Sequence, residues 1–577
     1  MADTAVRGQL ASNAVGLREV LFQSITHMAP GAAVAFSIIV GAGFAGGALP
    51  LSVVFALVGC LFVAVSIGQL AKHLPSAAGF GTYASRGLHP TVGFLVVWGY
   101  ALAEAMVAPL LYLIFGHTVA LTLQQEYGWS YDTWWPIATV AAAVFVFLLG
   151  WFGIRLSAGA GTLLGLFEIV VFATLAIWLI VEAGDNNTFE VFSTTFANAE
   201  GFNGMSGVIA GSVFAILAFI GFEAAAPLAE EARNPGRTVQ VAVVASALVI
   251  GLFYVLTTYA AAVYFGPDQF TTFASFGDGN PWQQMARDVW GGAWVLVFAA
   301  IIISALANSN AGSNATTRTW YALGRGRILT SLLTETHPRW QSPYVGLLVQ
   351  FVLALAIALP VGFIYDPYPT AFGLIGTMVT VVVVLIYIVL NLACFGYYMG
   401  RRRSEFNWIL HLVLPLLGVL AFVPAILTAL GVEVSIFDFI VPLTWPFSLA
   451  APIVAGWLGL GLIYLIYLMV SGRGDRLASL GLVYGGEEEP SVPAVVSDEP
   501  EPTPAPAAAY PAGSDQVDTA DTVDTVDTTD TMHVDDTSES TEPADSPEPE
   551  PATAPTAPGT PASATPEERK ADSTDDA

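Results

Sequence analysis

An all-α, polytopic membrane protein of about twelve transmembrane helices is the fold class this sequence predicts. Three observations carry it. First, 55% of the 577 residues are hydrophobic and only 11% are charged, with a mean hydropathy of +0.65, well outside the range of water-soluble domains. Second, twelve apolar runs are each long enough to cross a hydrocarbon core of about 30 Å at about 1.5 Å per residue. They lie near 20–43, 49–72, 90–122, 135–154, 159–182, 207–231, 238–265, 291–315, 343–363, 370–398, 407–430 and 447–471. Third, the basic residues fall on one side of that thread. With the N-terminus inside, 16 of the 17 Lys and Arg residues before the C-terminal segment are cytoplasmic, from Arg7 and Arg18 to Arg473 and Arg476. Arg287 alone lies outside, where the loops carry Asp185, Glu190, Glu200, Asp268 and Asp278.

Taken in order, residues 1–19 lack a signal-peptide pattern and form a cytoplasmic N-terminal segment. The twelve spans occupy 20–476. Between the second and third, "PSAAGFGTYASRGLHP" (Pro75 to Pro90) is short and mildly apolar, which suits an interfacial helix or a re-entrant connector. After Tyr484 the chain becomes rich in Pro, Thr, Ala and Asp. From Gly486 onward it holds 24 acidic and 2 basic residues, so −22 of the formal charge of −27 resides there. Such a segment cannot bury a core, and 485–577 is expected to be a disordered acidic cytoplasmic tail. The chain's acidity is therefore no guide to what the membrane part binds. Cys60 and Cys394 sit in apolar runs and imply neither a disulfide framework nor a metal site.

Two spans are interrupted. The first reads "SITHMAPGAAVAF", with Pro30-Gly31 at mid-depth, and the sixth reads "AILAFIGFEAAAP", with Gly221 at mid-depth. Irregular backbone at that depth is tolerated where it is buried in protein or lines a cavity. Matched breaks five spans apart fit an inverted repeat of five plus five spans with a ligand site between the breaks. A plain Pro or Gly kink is the alternative for either span alone.

At these residues the sequence resembles the amino acid–polyamine–organocation permease family. "FIGFE" (Phe219 to Glu223) followed by "EEARNPGR" (Glu230 to Arg237) resembles that family's sixth-span signature. "IGQLAKHLPSAAGFGTYASRGLHP", "ATTRTWYALGRGRIL" and "LIYIVLNLACFGYYMGRRR" resemble its second-span exit, the loop after span eight and the end of span ten. The resemblance implies a LeuT-like fold, alternating access and a substrate held between spans one, three, six, eight and ten. The family often has a G-S-G-like break in span one. Here the matching positions are Pro30, Gly31 and Ala32.

An α-amino acid needs two unlike partners. Its carboxylate wants N–H groups at a half-helix N-terminus, which Gly31, Ala32 and Ala33 offer. Its ammonium wants carbonyls, which Ala218, Phe219 and Ile220 offer, and Phe219 is a candidate cavity wall. Intramembrane carboxylates are expensive and mark ion or substrate paths. Glu104 in span three either meets a cationic group or hydrogen-bonds a neighbouring helix. Glu223 either titrates or locks the break at Gly221. Glu168 in span five falls where some proton-coupled relatives carry a Lys, which makes it the candidate proton carrier. Span eight turns polar over Ser304 to Arg318, where Ser304, Asn308 and Ser309 are candidates to face spans one and six, Ser309 as a substrate ligand and the hydroxyls as an alternative sodium site; the alternative is that Ser and Asn join small-residue helix contacts. His27 beside the first break reads as a satisfied structural group. Glu230, Glu231, Arg233 and Arg237 suit a gating ion-pair network on the inner face.

The expected function is secondary active import of amino acids across the plasma membrane, driven by protons or by sodium. Amine or polyamine uptake, substrate exchange and a non-transporting sensor with an acidic tail are the alternatives. No cofactor, metal, nucleotide fold or nucleic-acid partner is expected, and no catalytic set appears in the sequence.

Overall fold

The structure, a computed structural model, describes residues 15–76, 79–152, 155–229, 232–340, 342–433 and 436–481. Residues 1–14, the expected acidic tail 485–577, and both Glu230 and Glu231 lie outside these. The chain divides into two units, Met1–Pro493 and Ala494–Ala577, and all described residues belong to the first.

Helix dominates. In hydrocarbon no water is present to pair with backbone N–H and C=O groups, so apolar runs satisfy them within the segment. The strands among the described residues are a single two-residue antiparallel pair, Asn198–Ala199 with Phe202–Asn203. Eleven helical stretches among the described residues are long and apolar enough to cross a membrane. The first, Leu17–His73, is 57 residues. Laid straight it would measure about 86 Å, nearly three bilayer cores. It is interrupted at Gly46, whose φ of 54° only glycine adopts readily, so it holds two crossings and the thread has the twelve that the sequence predicts.

These are span one (17–45), span two (Leu49–His73), span three (Pro90–Tyr127), span four (Tyr131–Trp151), span five (Arg155–Ala183) and span six (205–228). Span seven is Pro235–Phe265, eight Val295–Arg325, nine Tyr344–Tyr365, ten Phe372–Gly400, eleven 409–429 and twelve Ala450–Val470. Several helices outrun the apolar runs. Span eight continues ten residues past its predicted end because "ATTRTWYALGR" keeps helical backbone beyond the hydrocarbon.

Burial sorts the spans. The most apolar stretches of six, three and ten are 94%, 83% and 72% buried, while those of nine, eleven and twelve are 28%, 33% and 22% buried. The second group turns residues such as Phe363, Leu420 and Ile463 outward, as lipid-facing helices do. The broken span one packs directly on spans five, six, seven and eight. The connector after span two folds as a short helix, Phe80–Gly87, with Phe80 edge-on to Tyr100 of span three at 5.0 Å. A second short helix, Pro281–Trp290, precedes span eight at the opposite end. Its Trp282 is fully buried and donates from Nε1 to the Val34 carbonyl of span one at 3.1 Å.

Candidate functional site at the two helix breaks

Span one breaks because of Pro30. Proline has no N–H to bond the preceding turn and disfavours helical backbone in the residue before it. The first half-helix, Leu17–His27, ends at Met28. Ala29 then takes a left-handed conformation (φ 48°), and a new half-helix starts with Pro30 at its first position. It widens into a π-turn over Ala33–Ser37. Span six breaks at glycine. Its helix Met205–Phe219 stops, Ile220 is extended (ψ 125°) and Gly221 has φ 123°. A tight 3₁₀ stretch, Phe222–Leu228, follows. The two breaks abut: a Cβ built on Gly221 would lie 2.6 Å from the His27 carbonyl carbon and 2.7 Å from the Met28 nitrogen. Only a glycine lets the two backbones come this close.

Several of the freed backbone groups have identifiable partners. Gly31 N–H donates to Glu168 Oε2 at 3.2 Å, and Ala32 N–H donates to Ser304 Oγ at 3.0 Å. Ala33 N–H donates to the Ala29 carbonyl at 2.8 Å. Pro30 has no N–H. The group seated at the positive end of this half-helix is thus the carboxyl of Glu168, which is 1% exposed and reaches in from span five. In span six, Gly221 N–H donates to Glu223 Oε2 at 2.9 Å, so the acid two residues on caps the break. The freed carbonyls of Met28 and Ala218 share one donor: Tyr254 Oη of span seven lies 2.9 Å from the first and 3.0 Å from the second.

A cavity of about 40 Å³ opens beside the breaks, room for a few water molecules. Its walls are mostly apolar, including Val107, Leu110 and Leu111 of span three, Leu217 of span six and Val379 of span ten. Ala29 and Ala33 of span one and Ala218 and Ile220 of span six complete the backbone side. His27, Ser37 and Asn308 supply the polar side chains.

The sequence-predicted residues distribute as follows. Ala33, Ala218 and Ile220 line the cavity; Pro30, Gly31, Ala32 and Gly221 build the breaks. Phe219 does not reach the cavity: it is fully buried, edge-on to Tyr254 at 5.4 Å. Ser309 donates to the Ala305 carbonyl of its own helix at 2.6 Å, and its neighbour Asn308 faces the cavity instead. Glu104 sits behind His27, with Oε2 3.4 Å from Nε2 and both side chains 1% exposed. Glu223 is wholly buried. Arg237 lies in the first turn of span seven and Arg233 in the turn before it, where Arg233 N–H donates to the Val15 carbonyl at 2.9 Å and Val15 pairs with Ala232. This ties the start of span one to the exit of span six. Glu230 and Glu231 lie outside the described residues.

Three residues stand out: Tyr254, which sequence reasoning passed over, His27, which it demoted, and Asn308, which it named only among the polar residues of span eight. Tyr254 lies in an ordinary apolar run, and nothing in its periodicity marks it. Asn308 differs from its polar neighbours only in the face it presents. His27 has a buried Nδ1 with no hydrogen-bond partner, whereas a structural histidine would be satisfied; its one sequence signal is its place three residues before Pro30.

Residues 20–468 match the amino acid permease family. Among curated relatives, the low-affinity putrescine importer PlaP of Escherichia coli (strain K12) is 26% identical over 318 residues, 54% of this chain and 67% of that protein. The glutamate/serine transporter AimA of Bacillus subtilis (strain 168) is 23% identical over 335 residues, 54% of this chain and 60% of that protein. The branched-chain amino acid permease BcaP of the same strain is 24% identical over 321 residues, 53% and 66%. These matches span between 60% and 67% of the relatives' lengths. The family match covers most of the chain, and it fits the twelve helical crossings: this protein is a multi-pass membrane transporter of the amino acid permease family, within the amino acid–polyamine–organocation superfamily.

Proposed function

We propose that this chain imports amino acids across the plasma membrane by alternating access, drawing on the proton gradient, with both termini in the cytoplasm. In this reading spans one to five and six to ten are inverted LeuT-like repeats, and the two breaks are their equivalent centres. The observation that carries the proposal is the seat of Glu168. Its carboxylate accepts the Gly31 N–H at the positive end of a half-helix, beside the Ser304 hydroxyl that accepts the Ala32 N–H. Taking up a proton removes the charge that this half-helix stabilises, and losing it restores the charge. The grip of span five on span one therefore depends on the proton. Ser304, the hydroxyl a sodium site would draw on, is already engaged with span one.

Amine uptake is the second reading, and one observation favours it. The N–H groups of Gly31, Ala32 and Ala33 are all engaged within the protein, so the half-helix does not call for a substrate carboxylate.

The test is uptake of alanine, glutamate, leucine and putrescine into proteoliposomes, under a proton gradient and a sodium gradient separately. Accumulation with protons alone is expected, and Glu168→Gln should abolish accumulation while leaving counterflow. Uptake that requires sodium and ignores the proton gradient overturns the proposal.

A further inference from the structure

We propose that His27 is the substrate-carboxylate recognition residue of this transporter, held in place by Glu104, and that Asn308 takes the substrate ammonium. The assignment deepens the transport reading above and rests on it.

The half-helix of span one offers no N–H for an incoming carboxylate: Gly31, Ala32 and Ala33 donate to Glu168, Ser304 and the Ala29 carbonyl. A carboxylate entering the cavity must find its donor elsewhere. Two side chains that line the cavity carry a buried polar atom without a partner, His27 at Nδ1 and Asn308 at Oδ1. His27 is 2% and Asn308 8% exposed. Leaving such atoms unmatched is costly. They belong to facing elements, since a Cβ on Gly312, one helical turn after Asn308, would lie 3.7 Å from His27 Cε1.

Their characters are complementary. Glu104 stands 3.4 Å from His27 Nε2 and is not among the residues that line the cavity. A carboxylate with 1% exposure needs a compensating charge, and the imidazolium is the cation within reach. In that form Nε2–H is the donor nearer Glu104, and Nδ1–H is a charged donor with no partner in the protein, on a side chain that lines the cavity. The Asn308 carbonyl oxygen is an acceptor suited to an ammonium. The two match the two ends of an α-amino acid, and the apolar residues around them suit its side chain. Glu104 acts through His27 as a positioning residue.

The test is equilibrium binding to the purified full-length protein in nanodiscs, with matched pairs that differ by one carboxylate: alanine and ethylamine, ornithine and putrescine, phenylalanine and phenethylamine. In the wild type the amino acid of a pair should bind roughly 10- to 100-fold more tightly than its amine, the worth of one charge-assisted hydrogen bond. His27→Gln and Glu104→Gln should each shrink that ratio toward one, and Asn308→Ala should weaken both members together. The ratio within a pair is insensitive to a general loss of folded protein. Amines that bind as tightly as their amino acids, or a ratio unchanged in His27→Gln, overturn the assignment and leave the transport reading standing. Binding of neither member of any pair overturns the transport reading itself, and this assignment with it.

Discussion

Replacing Gly221 by alanine tests the abutting breaks most directly. Two separate costs arise from one methyl group. At φ 123° an L-residue is strained by about 1–3 kcal/mol. The added Cβ would also lie 2.6–2.7 Å from the His27 carbonyl group and the Met28 nitrogen. These are backbone atoms, so no side-chain rotation relieves the contact, and overpacking of this kind costs about 1–3 kcal/mol. Together the burden is about 2–6 kcal/mol, against a total stability of about 5–15 kcal/mol for typical domains. The chain's cheapest escape is to separate the two breaks, which also pulls Met28 and Ala218 away from Tyr254. Gly221→Ala should therefore lower the melting temperature in detergent and cut proteoliposome uptake at least tenfold. Gly43→Ala is the control. It adds a methyl to an exposed helical glycine with nothing within 4 Å, and it should leave stability unchanged or raised by up to about 1 kcal/mol, with a melting temperature unchanged or slightly higher. A Gly221→Ala protein that melts and transports like the wild type would show that the breaks do not meet as described.

Other expectations follow from single contacts. Tyr254→Phe strips the shared donor from two buried carbonyls and should destabilise by about 1–3 kcal/mol, read as a lower melting temperature together with impaired uptake. Trp282→Phe removes the donor to Val34 and leaves a void beside Phe172, which its ring meets edge-on at 5.3 Å; limited proteolysis should then cut faster around Pro281–Trp290. At the basic end, Glu405 lies 3.2 Å from Lys72 Nζ and 3.1 Å from His73 Nε2. Partial burial pushes its carboxyl upward, but the hydrogen bonds and charges of Lys72 and His73 outweigh this and hold it below its ordinary value. The stabilisation is therefore present above the usual carboxylate range and lost as pH falls through the lowered value. For so exposed a group it is small. Melting curves of wild type and Glu405→Gln should differ slightly at neutral pH and converge in acid.

Twelve spans and both breaks were legible because each depends on local sequence. Apolar run length sets a crossing, and Pro30 and Gly221 act on their own backbone. Glu223 was half legible, since an acid two residues past a break glycine can cap it without help from another span. What failed to show was which side chain meets which across spans. Glu168 was singled out for being an acid in an apolar run, but its reach to Gly31 depends on how span five crosses span one. Ser309 and Asn308 are adjacent polar residues of span eight, and only the rotation of that span decides which faces the cavity. Phe219 was expected at the cavity because it neighbours the break; at Ile220 the chain leaves the helix, and the ring stays packed on Tyr254. His27 looked ordinary because a sequence does not reveal whether a ring nitrogen is satisfied.

The Tyr254 hydroxyl has one proton and stands within reach of two carbonyls. Whichever carbonyl holds the hydrogen bond, the other lacks a full one. The closed contact between the breaks thus carries a standing deficit, on the order of the 1–3 kcal/mol that an unmade buried hydrogen bond costs. Water reaching either break as the two part would cancel it. The closed form is in this sense built slightly unfinished. Under the alternating-access proposal the two breaks must part to release what they grip, and that step then begins already part of the way downhill.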